Sequence, residues 1–268
     1  MQLGFNFYET FKKNYFIFLI SCSLLHLQNS SFAQNKINFN GPYAEIFLGY
    51  NQTFVNEGNV YWIDTRDPTD IFIGNNGQNS KSRSLINGLK FGYDHRLNNY
   101  VFGAELGLIL PKGSAKGIAA RDDNTRSNIP LNVETKIQSL ISLKSKTGFV
   151  LDNSETMIFG AVGILSGNIK RTLTDMAVFE EDENGGWWLN NYGSSTSTTI
   201  NKTGYILSSG MEKLITKQTS WKLEFNYINL GSINFNYSGV YDDISTANMK
   251  QKVKIKDIST TLGFSYKF

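Results

Sequence analysis

Hydrophobic and polar residues alternate along several segments of this chain, most clearly over residues 257–268. In an extended strand, such alternation places the two sets on opposite sides. One side carries Ile258, Thr260, Leu262, Phe264, Tyr266 and Phe268, and the other carries Asp257, Ser259, Thr261, Gly263, Ser265 and Lys267. In water this strand would expose an apolar face and a free edge, whereas in lipid the apolar face would meet acyl chains. The segment therefore predicts the closing strand of a transmembrane β-barrel, paired with the first strand.

The same period of two recurs in residues 85–94, 102–110, 136–149 and 221–227. In 136–149 it assigns Ile137 to the apolar side and Lys136 to the polar side. Less regular strands are predicted over 42–52, 156–171 and 200–215, and around 159–164 both faces are apolar or small, which leaves the inward side open. The eight segments predict an all-β fold, an eight-stranded antiparallel up-and-down transmembrane β-barrel.

The predicted connections alternate between short and long. Residues 97–99, 152–154 and 216–218 are tight, turn-rich links, and the long connections are 53–79, 111–132, 173–199 and 231–252. Short periplasmic turns and four long extracellular loops are typical of outer-membrane barrels.

Charged residues of both signs fall on the polar side of the predicted strands. A soluble sandwich would place them in water, and the alternation alone leaves that architecture open. A barrel would collect them in its lumen, where opposite charges could pair. The predicted lumen residues are Glu45, Lys90, Asp94, Glu105, Lys136, Lys144, Glu212, Lys222, Glu224 and Asp257.

Residues 1–33 are predicted to be a cleaved signal peptide, which leaves residues 34–268 as the barrel domain. Lys12 and Lys13 precede an apolar run over 15–27, and Ala33 ends a small-residue cleavage site. A retained membrane helix is the competing interpretation, although the run is shorter than the ~20 residues of a span. Lipidation at Cys22 is a second alternative. Without Cys22 the mature chain has no cysteine, and the formal net charge of +3 for the full chain gives no reason to expect nucleic acid.

Two segments resemble a known family. Residues 41–50, GPYAEIFLGY, resemble the first strand of small surface-antigen barrels of the opacity and OmpA-like group. Residues 261–268, TLGFSYKF, are similar to the C-terminal signal read by the outer-membrane assembly machinery, with Gly263, Phe264, Tyr266 and Phe268 as the signal residues. The resemblance covers nearly the whole mature chain and implies an outer-membrane barrel. It leaves the role open, because the family includes adhesins, resistance proteins, structural anchors and a few enzymes.

Candidate chemistry is sparse. His95 lies beside a predicted periplasmic turn, away from the outer rim where barrel hydrolases commonly place a histidine base. The acidic run 180–183 is interpreted as a solvated loop rather than a cation site, since it lacks a spaced ligand motif. Trp187 and Trp188 are candidates for a loop contact or for the aromatic girdle. We therefore expect no enzyme activity, no cofactor and no bound metal.

The sequence predicts a structural or surface-interaction role through the extracellular loops, as a surface antigen, in adhesion or in envelope integrity. The alternative is a small porin-like channel, which geometry disfavours because eight strands usually enclose a lumen filled by side chains. The expected partners are outer-membrane lipids and lipopolysaccharide, the assembly machinery, and a host or surface ligand at the loops, with no nucleic acid.

Overall fold

A computed structural model describes residues 39–64, 71–74, 79–118, 132–151, 155–174, 178–181, 187–190, 195–241 and 245–268. The predicted signal peptide lies outside the described residues. Eight long strands build the fold: β1 (Gly41–Asp64), β3 (Ser80–Leu97), β4 (Tyr100–Pro111), β6 (Asn132–Val150), β7 (Thr156–Thr174), β10 (Thr196–Leu214), β11 (Thr219–Tyr241) and β12 (Ser245–Lys267). Four short strands are β2 (Ile71–Gly74), β5 (Ser114–Ile118), β8 (Val178–Glu181) and β9 (Trp187–Asn190). Within these described ranges, no helix is long and apolar enough to cross a membrane.

The eight long strands form a closed ring in which each strand pairs antiparallel with its neighbours. The order is β12-β11-β10-β7-β6-β4-β3-β1, and β1 then pairs with β12. At the closure Tyr43 lies opposite Lys267, and the Phe268 N–H donates to the Pro42 carbonyl at 3.1 Å. Complete closure leaves no long strand with a free edge and excludes the sandwich. The predicted eight-stranded up-and-down barrel is confirmed.

One end of the barrel, the turn end, carries the short connections together with Gly41 and Phe268. Asn98 joins β3 to β4 at a φ of 55°, a left-handed conformation that asparagine tolerates well. Thr216 organises the β10–β11 turn, where its hydroxyl accepts the Thr219 N–H at 3.0 Å. The predicted turns at 97–99 and 216–218 are confirmed, and the one at 152–154 lies outside the described residues.

At the opposite end, the hairpin end, the described parts of the predicted long loops are largely strand. β1 continues to Asp64, β11 continues to Tyr241 and β12 begins at Ser245. The short strand β5 continues along β6 beyond the end of β4, and β2 pairs with the far end of β1. The long connections thus begin and end as strand, and we call these parts of the strands the extension. The sequence left such strands open, because in the extension the polarity of the alternation is reversed and the apolar residues face inward.

Strand bulges cause part of this reversal. Ile137 pairs with Ile169 and Ser139 pairs with Asn168, so Gln138 is an extra residue in β6. A one-residue insertion moves all following side chains to the other face. Ile137 is consequently buried and Lys136 is exposed, so the prediction of Lys136 as a lumen residue was wrong. A similar bulge lies between Asn229 and Gly231 of β11.

The strand β7, whose inward side the sequence left open, places its odd-numbered residues inside. Phe159, Leu165 and Ile169 are buried, whereas Val162 and Ile164 are exposed on the outer surface. Gly163 lies between them on the inner face, where the Lys144 side chain packs against its backbone.

Candidate functional site

The outer surface of the barrel carries a continuous apolar band. All eight long strands contribute large hydrophobic side chains that are 45% to 71% exposed: Leu48, Leu89, Leu106, Ile141, Val162, Leu207, Phe225 and Leu262. Monomeric proteins in water rarely expose an apolar surface that continues around all strands of a barrel. On β12 the band extends over residues 258–268, close to the ~9–11 residues that a strand needs to cross a bilayer. The band therefore defines the lipid-facing part of the wall.

Inside this part of the wall lies a set of paired charges, which we call the central cluster. Its members are Glu45, Lys90, Glu105, Lys144, Lys222 and Glu224, and each is at most 4% exposed. Lys222 Nζ lies 2.5 Å from Glu45 and 2.7 Å from Glu105. Lys144 Nζ lies 2.5 Å from Glu224 and 2.7 Å from Glu105. Three lysines thus balance three glutamates.

A second group, the lower cluster, lies nearer the turn end and consists of Asp94, Lys146, Glu212 and Lys267. Lys146 Nζ donates to Asp94 Oδ2 at 2.9 Å, and Lys267 Nζ lies 3.5 Å from both Asp94 and Glu212. This cluster also balances its charges. Tyr43 connects the two clusters, since its hydroxyl donates to Glu105 Oε2 at 2.9 Å and accepts from Lys146 Nζ at 3.5 Å.

Glycines on the inner face make room for these side chains. The carboxylate of Glu45 lies against Gly263, where a Cβ would collide with it. The ring of Tyr43 lies against Gly92 in the same manner. The glycine of the predicted assembly signal therefore has a steric role inside the barrel as well.

A layer of hydroxyl and amide side chains around Asp257 follows toward the hairpin end. Asp257 Oδ2 accepts from Thr53 Oγ1 at 2.6 Å and from Asn51 Nδ2 at 2.7 Å. Ser84 Oγ donates to Asn51 Oδ1 at 2.5 Å. The predicted inward position of Asp257 is therefore found, and its charge is satisfied by hydrogen bonds.

Above the polar layer, the interior becomes apolar. Buried side chains from all parts of the ring meet there, including Val55, Leu140, Leu165, Ile169, Ile206, Ile228, Leu230, Val253 and Ile255. Each of them is at most 2% exposed. This upper core has the composition of a soluble protein's interior, with polar residues facing outward around it.

Arg171 lies within the upper core and is fully buried. Its guanidinium donates to Glu57 Oε2 at 2.5 Å, to Gln251 Oε1 at 2.7 Å and to Thr135 Oγ1 at 3.0 Å. It also lies 5.3 Å from the centre of the Phe235 ring. Burial raises the pKa of Glu57, and the Arg171 charge opposes part of that rise. The sequence did not reveal this group, because its members come from the five strands β1, β6, β7, β11 and β12, and Glu57, Phe235 and Gln251 lie in predicted loops.

Among the predicted lumen residues, all except Lys136 are buried inside the ring. His95 is exposed close to the turn end. Trp187 and Trp188 belong to β9 and pair with Glu181 and Glu180 of β8, and their side chains lie outside the described part of the structure. In the described ranges, no group of three or more histidine, cysteine or acidic side chains is arranged to hold a metal ion.

No protein-family model matches the chain, and no curated protein matches it. Among solved structures it is similar to Ail, the attachment invasion locus protein of Yersinia pestis, with 14% identity, a TM-score of 0.35, and coverage of 85% of this chain and 99% of that one. It is also similar to the outer membrane protease OmpT from Escherichia coli, with 10% identity, a TM-score of 0.42, and coverage of 90% and 99%. Neisserial surface protein A shares 10% identity, with a TM-score of 0.32 and coverage of 83% and 97%. At these values the likenesses carry no argument, and the fold is established by the ring of paired strands.

Proposed function

We propose that this chain is an outer-membrane barrel protein with a structural or surface-interaction role, exerted through the hairpin end. The observation that supports it is the reversal of polarity along the strands. Leu262 of β12 faces outward in the apolar band, whereas Val253 and Ile255 of the same strand are buried in the upper core. The extension is therefore organised as a folded domain in water that continues directly from a lipid-embedded wall.

The extension is long enough to present a surface well above the lipid. Residues 245–257 of β12 precede the apolar band. At ~3.3 Å per residue they span about 40 Å along the strand. With the 35–45° tilt usual for barrel strands, this gives a height of roughly 30 Å. Short turns face the periplasm in outer-membrane barrels, so the extension points away from the cell. Such a surface suits a surface antigen, an adhesin or a protein that strengthens the envelope.

The alternative of a small channel receives no support from the contacts inside the ring. A solute would have to pass the upper core, the polar layer and two charge clusters in succession. Lys90 alone contacts Glu45 of the adjacent strand at 3.0 Å and Glu224 across the lumen at 2.7 Å. Opening a path would separate buried opposite charges, at a cost of several kcal/mol for each ion left without a partner.

The strand register allows the hairpin tips to be removed without disturbing the barrel. Each tip is replaced by Asn-Gly, which favours a tight two-residue hairpin turn. The replaced residues are 64–70, 119–131, 174–195 and 238–248, which lie between the paired residues Ile63 and Ile71, Ile118 and Asn132, Leu173 and Thr196, and Tyr237 and Met249.

Cells that produce the wild-type chain, the shortened chain or neither are then compared. The readouts are attachment to gelatin and to charged microspheres, and survival in detergent. We expect the shortened chain to reach the outer membrane with a heat-modifiable gel shift, yet to behave as if the protein were missing. If wild-type and shortened chains give the same attachment and survival, the hairpin tips do not carry the role. Steady conductance in planar bilayers would favour the channel instead.

A further inference from the structure

The hairpin end of the apolar band is bordered by outward-facing basic residues, which we call the basic belt. On β12 the outward residue after Ile258 is Lys256, followed by Lys254 and Lys252, and all three are exposed. On β3 the residue beyond Leu85 is Arg83, followed by Lys81. Further round the ring the exposed or half-exposed members are Lys112, Lys116, Lys136 and Lys170.

The register places the first part of the belt on three adjacent strands. Phe54 of β1 lies opposite Lys256 on one side and opposite Lys81 on the other. Neighbouring strands are ~4.8 Å apart, so Lys256 and Lys81 flank Phe54 at about 10 Å from each other. Lys81 Nζ lies 5.6 Å from the Phe54 ring centre. The spacing allows a phosphate to be contacted from both sides above an aromatic ring.

Most of these cations face no carboxylate in the described part of the protein. In the rows above the apolar band, Glu134 is the one outward-facing carboxylate among the side chains that the structure describes, and it lies opposite Lys116. Lys252, Lys254 and Lys256 form no ion pair with another described residue. The other carboxylates of the long strands, such as Glu45 and Glu224, are held inside by lysines. Apart from Lys116, the belt residues are therefore left by the described side chains with their charges available to an external anion.

One pair in the belt is unfavourable without such an anion. Lys136 of β6 lies directly opposite Lys170 of β7, and both face outward. Cross-strand partners have Cβ atoms about 5 Å apart, and like charges at this distance repel each other. An anionic group between the two ammonium groups would convert the repulsion into binding.

We propose that the basic belt binds the phosphate groups of outer-leaflet lipids, specifically a phosphorylated glycolipid of the lipid A type. Acyl chains that cover Ile258 and Leu85 end at the row of Lys256 and Arg83, so the headgroup phosphates meet the cations without a gap. A soluble polyanion would not need this continuity with the apolar band. Long basic side chains at a membrane boundary direct their charges to the headgroups. The inference rests on the proposed function, in which the hairpin end points away from the cell. It adds a lipid as the binding partner of the barrel wall.

The test compares two variants that lose the same number of charges. Lys254→Gln/Lys256→Gln removes belt residues, and Lys213→Gln/Lys217→Gln removes exposed lysines at the turn end. The refolded proteins are titrated in detergent with fluorescent lipid A bearing two phosphates, followed by anisotropy, and with a dephosphorylated form. A basic residue near an anionic surface contributes roughly fivefold in affinity, so we expect the belt variant to bind the phosphorylated lipid at least tenfold more weakly.

The turn-end variant should bind within twofold of wild type, and the dephosphorylated lipid should show no difference between the three proteins. Equal affinity of wild type and belt variant, an equal loss in the turn-end variant, or a loss that does not depend on phosphate would each overturn the proposal. The heat-modifiable gel shift and insertion into vesicles are measured on the same samples. If these are normal while the lipid affinities are equal, the belt proposal alone fails. If the wild-type chain does not insert at all, the proposed function fails with it.

Discussion

Replacing Lys222 with methionine should be the most damaging single change in the lipid-embedded part. Its ammonium group lies 2.5 Å from Glu45, 2.7 Å from Glu105 and 3.6 Å from Glu224, and the side chain is 1% exposed. Methionine preserves most of the length of the side chain and removes its charge. The central cluster would then hold three carboxylates against two lysines, and its members are at most 4% exposed.

Removing one partner from a buried ion pair typically costs about 3–5 kcal/mol, because the remaining charge stays buried without compensation. We expect a loss of that size in the free energy of unfolding for Lys222→Met. The matched control is Lys213→Met, which removes an exposed lysine at the turn end and should change stability by no more than about 0.5 kcal/mol. The assay is urea unfolding in lipid vesicles, followed by tryptophan fluorescence and by the gel shift.

A compensating change at a carboxylate tests whether the charge balance of the central cluster causes this loss of stability. Glu45→Gln together with Lys222→Met restores equal numbers of both signs in the central cluster. The double variant should lose less stability than the sum of the single variants, by about 1–3 kcal/mol. If the two losses are additive, or if Lys222→Met is as stable as Lys213→Met, the cluster is not held by charge pairing and the reasoning is wrong.

Three further changes address the wall, the extension and the last residue. Leu262→Arg should cost about 2–4 kcal/mol because it places a charge in the lipid-facing band, whereas Leu262→Phe should cost little; equal urea midpoints would contradict the outward assignment. Arg171→Met should loosen the extension while the barrel stays folded, so limited proteolysis should cut the hairpin end faster and leave a protected barrel fragment; an unchanged pattern would contradict it. Phe268 is 74% exposed and contacts Tyr266 edge to face. Phe268→Ser should reduce assembly in cells and leave refolding in detergent nearly unchanged, and a parallel loss in both would contradict an assembly signal.

The strands of the lipid-facing part could be predicted from the sequence because their alternation is unbroken there. In β12 every residue from Asp257 to Phe268 faces the predicted side, and the inward positions of Glu45, Lys90 and Glu224 follow from the same period. Residues 102–110 and 221–227 behave in the same way. A period of two can be recognised in one strand without information about its neighbours. The local pattern was therefore sufficient to predict the lipid-facing part of the strands.

The extension could not be predicted in that way. Ile233, Phe235, Val253 and Ile255 also alternate with polar residues, but there the apolar set is buried and the polar set faces water. The same alternating pattern arises whether the apolar residues face lipid on the outside or a protein core on the inside. The extra residue at Gln138 shifted Lys136 to the outer face, and a bulge leaves no composition signal by which it could be found.

The partners inside the barrel also depend on the closed ring. Lys90 and Glu224 are 134 positions apart in the chain and are joined across the lumen at 2.7 Å. Their contact follows from strand order, tilt and register together, which no local pattern contains. The sequence therefore predicted which charges face inward, and the structure determined how they pair.

Charged side chains inside this barrel pair with one another, whereas most of those in the basic belt do not. We therefore expect the inner charges to affect stability and the outer charges to affect binding. The central and lower clusters are each neutral, so their charges hold the wall together and leave little net field inside. Apart from Lys116, the basic belt is uncompensated by the described residues, so in the proposed orientation its charges are available to bind lipid headgroups. Lys222 and Lys256 lie on neighbouring strands, yet the first is enclosed by carboxylates and the second is exposed. Neutralising Lys222 should therefore lower stability without a specific effect on lipid phosphate binding, and neutralising Lys256 should do the reverse. A variant of either residue that lowered both to the same degree would show that the two roles are not separate.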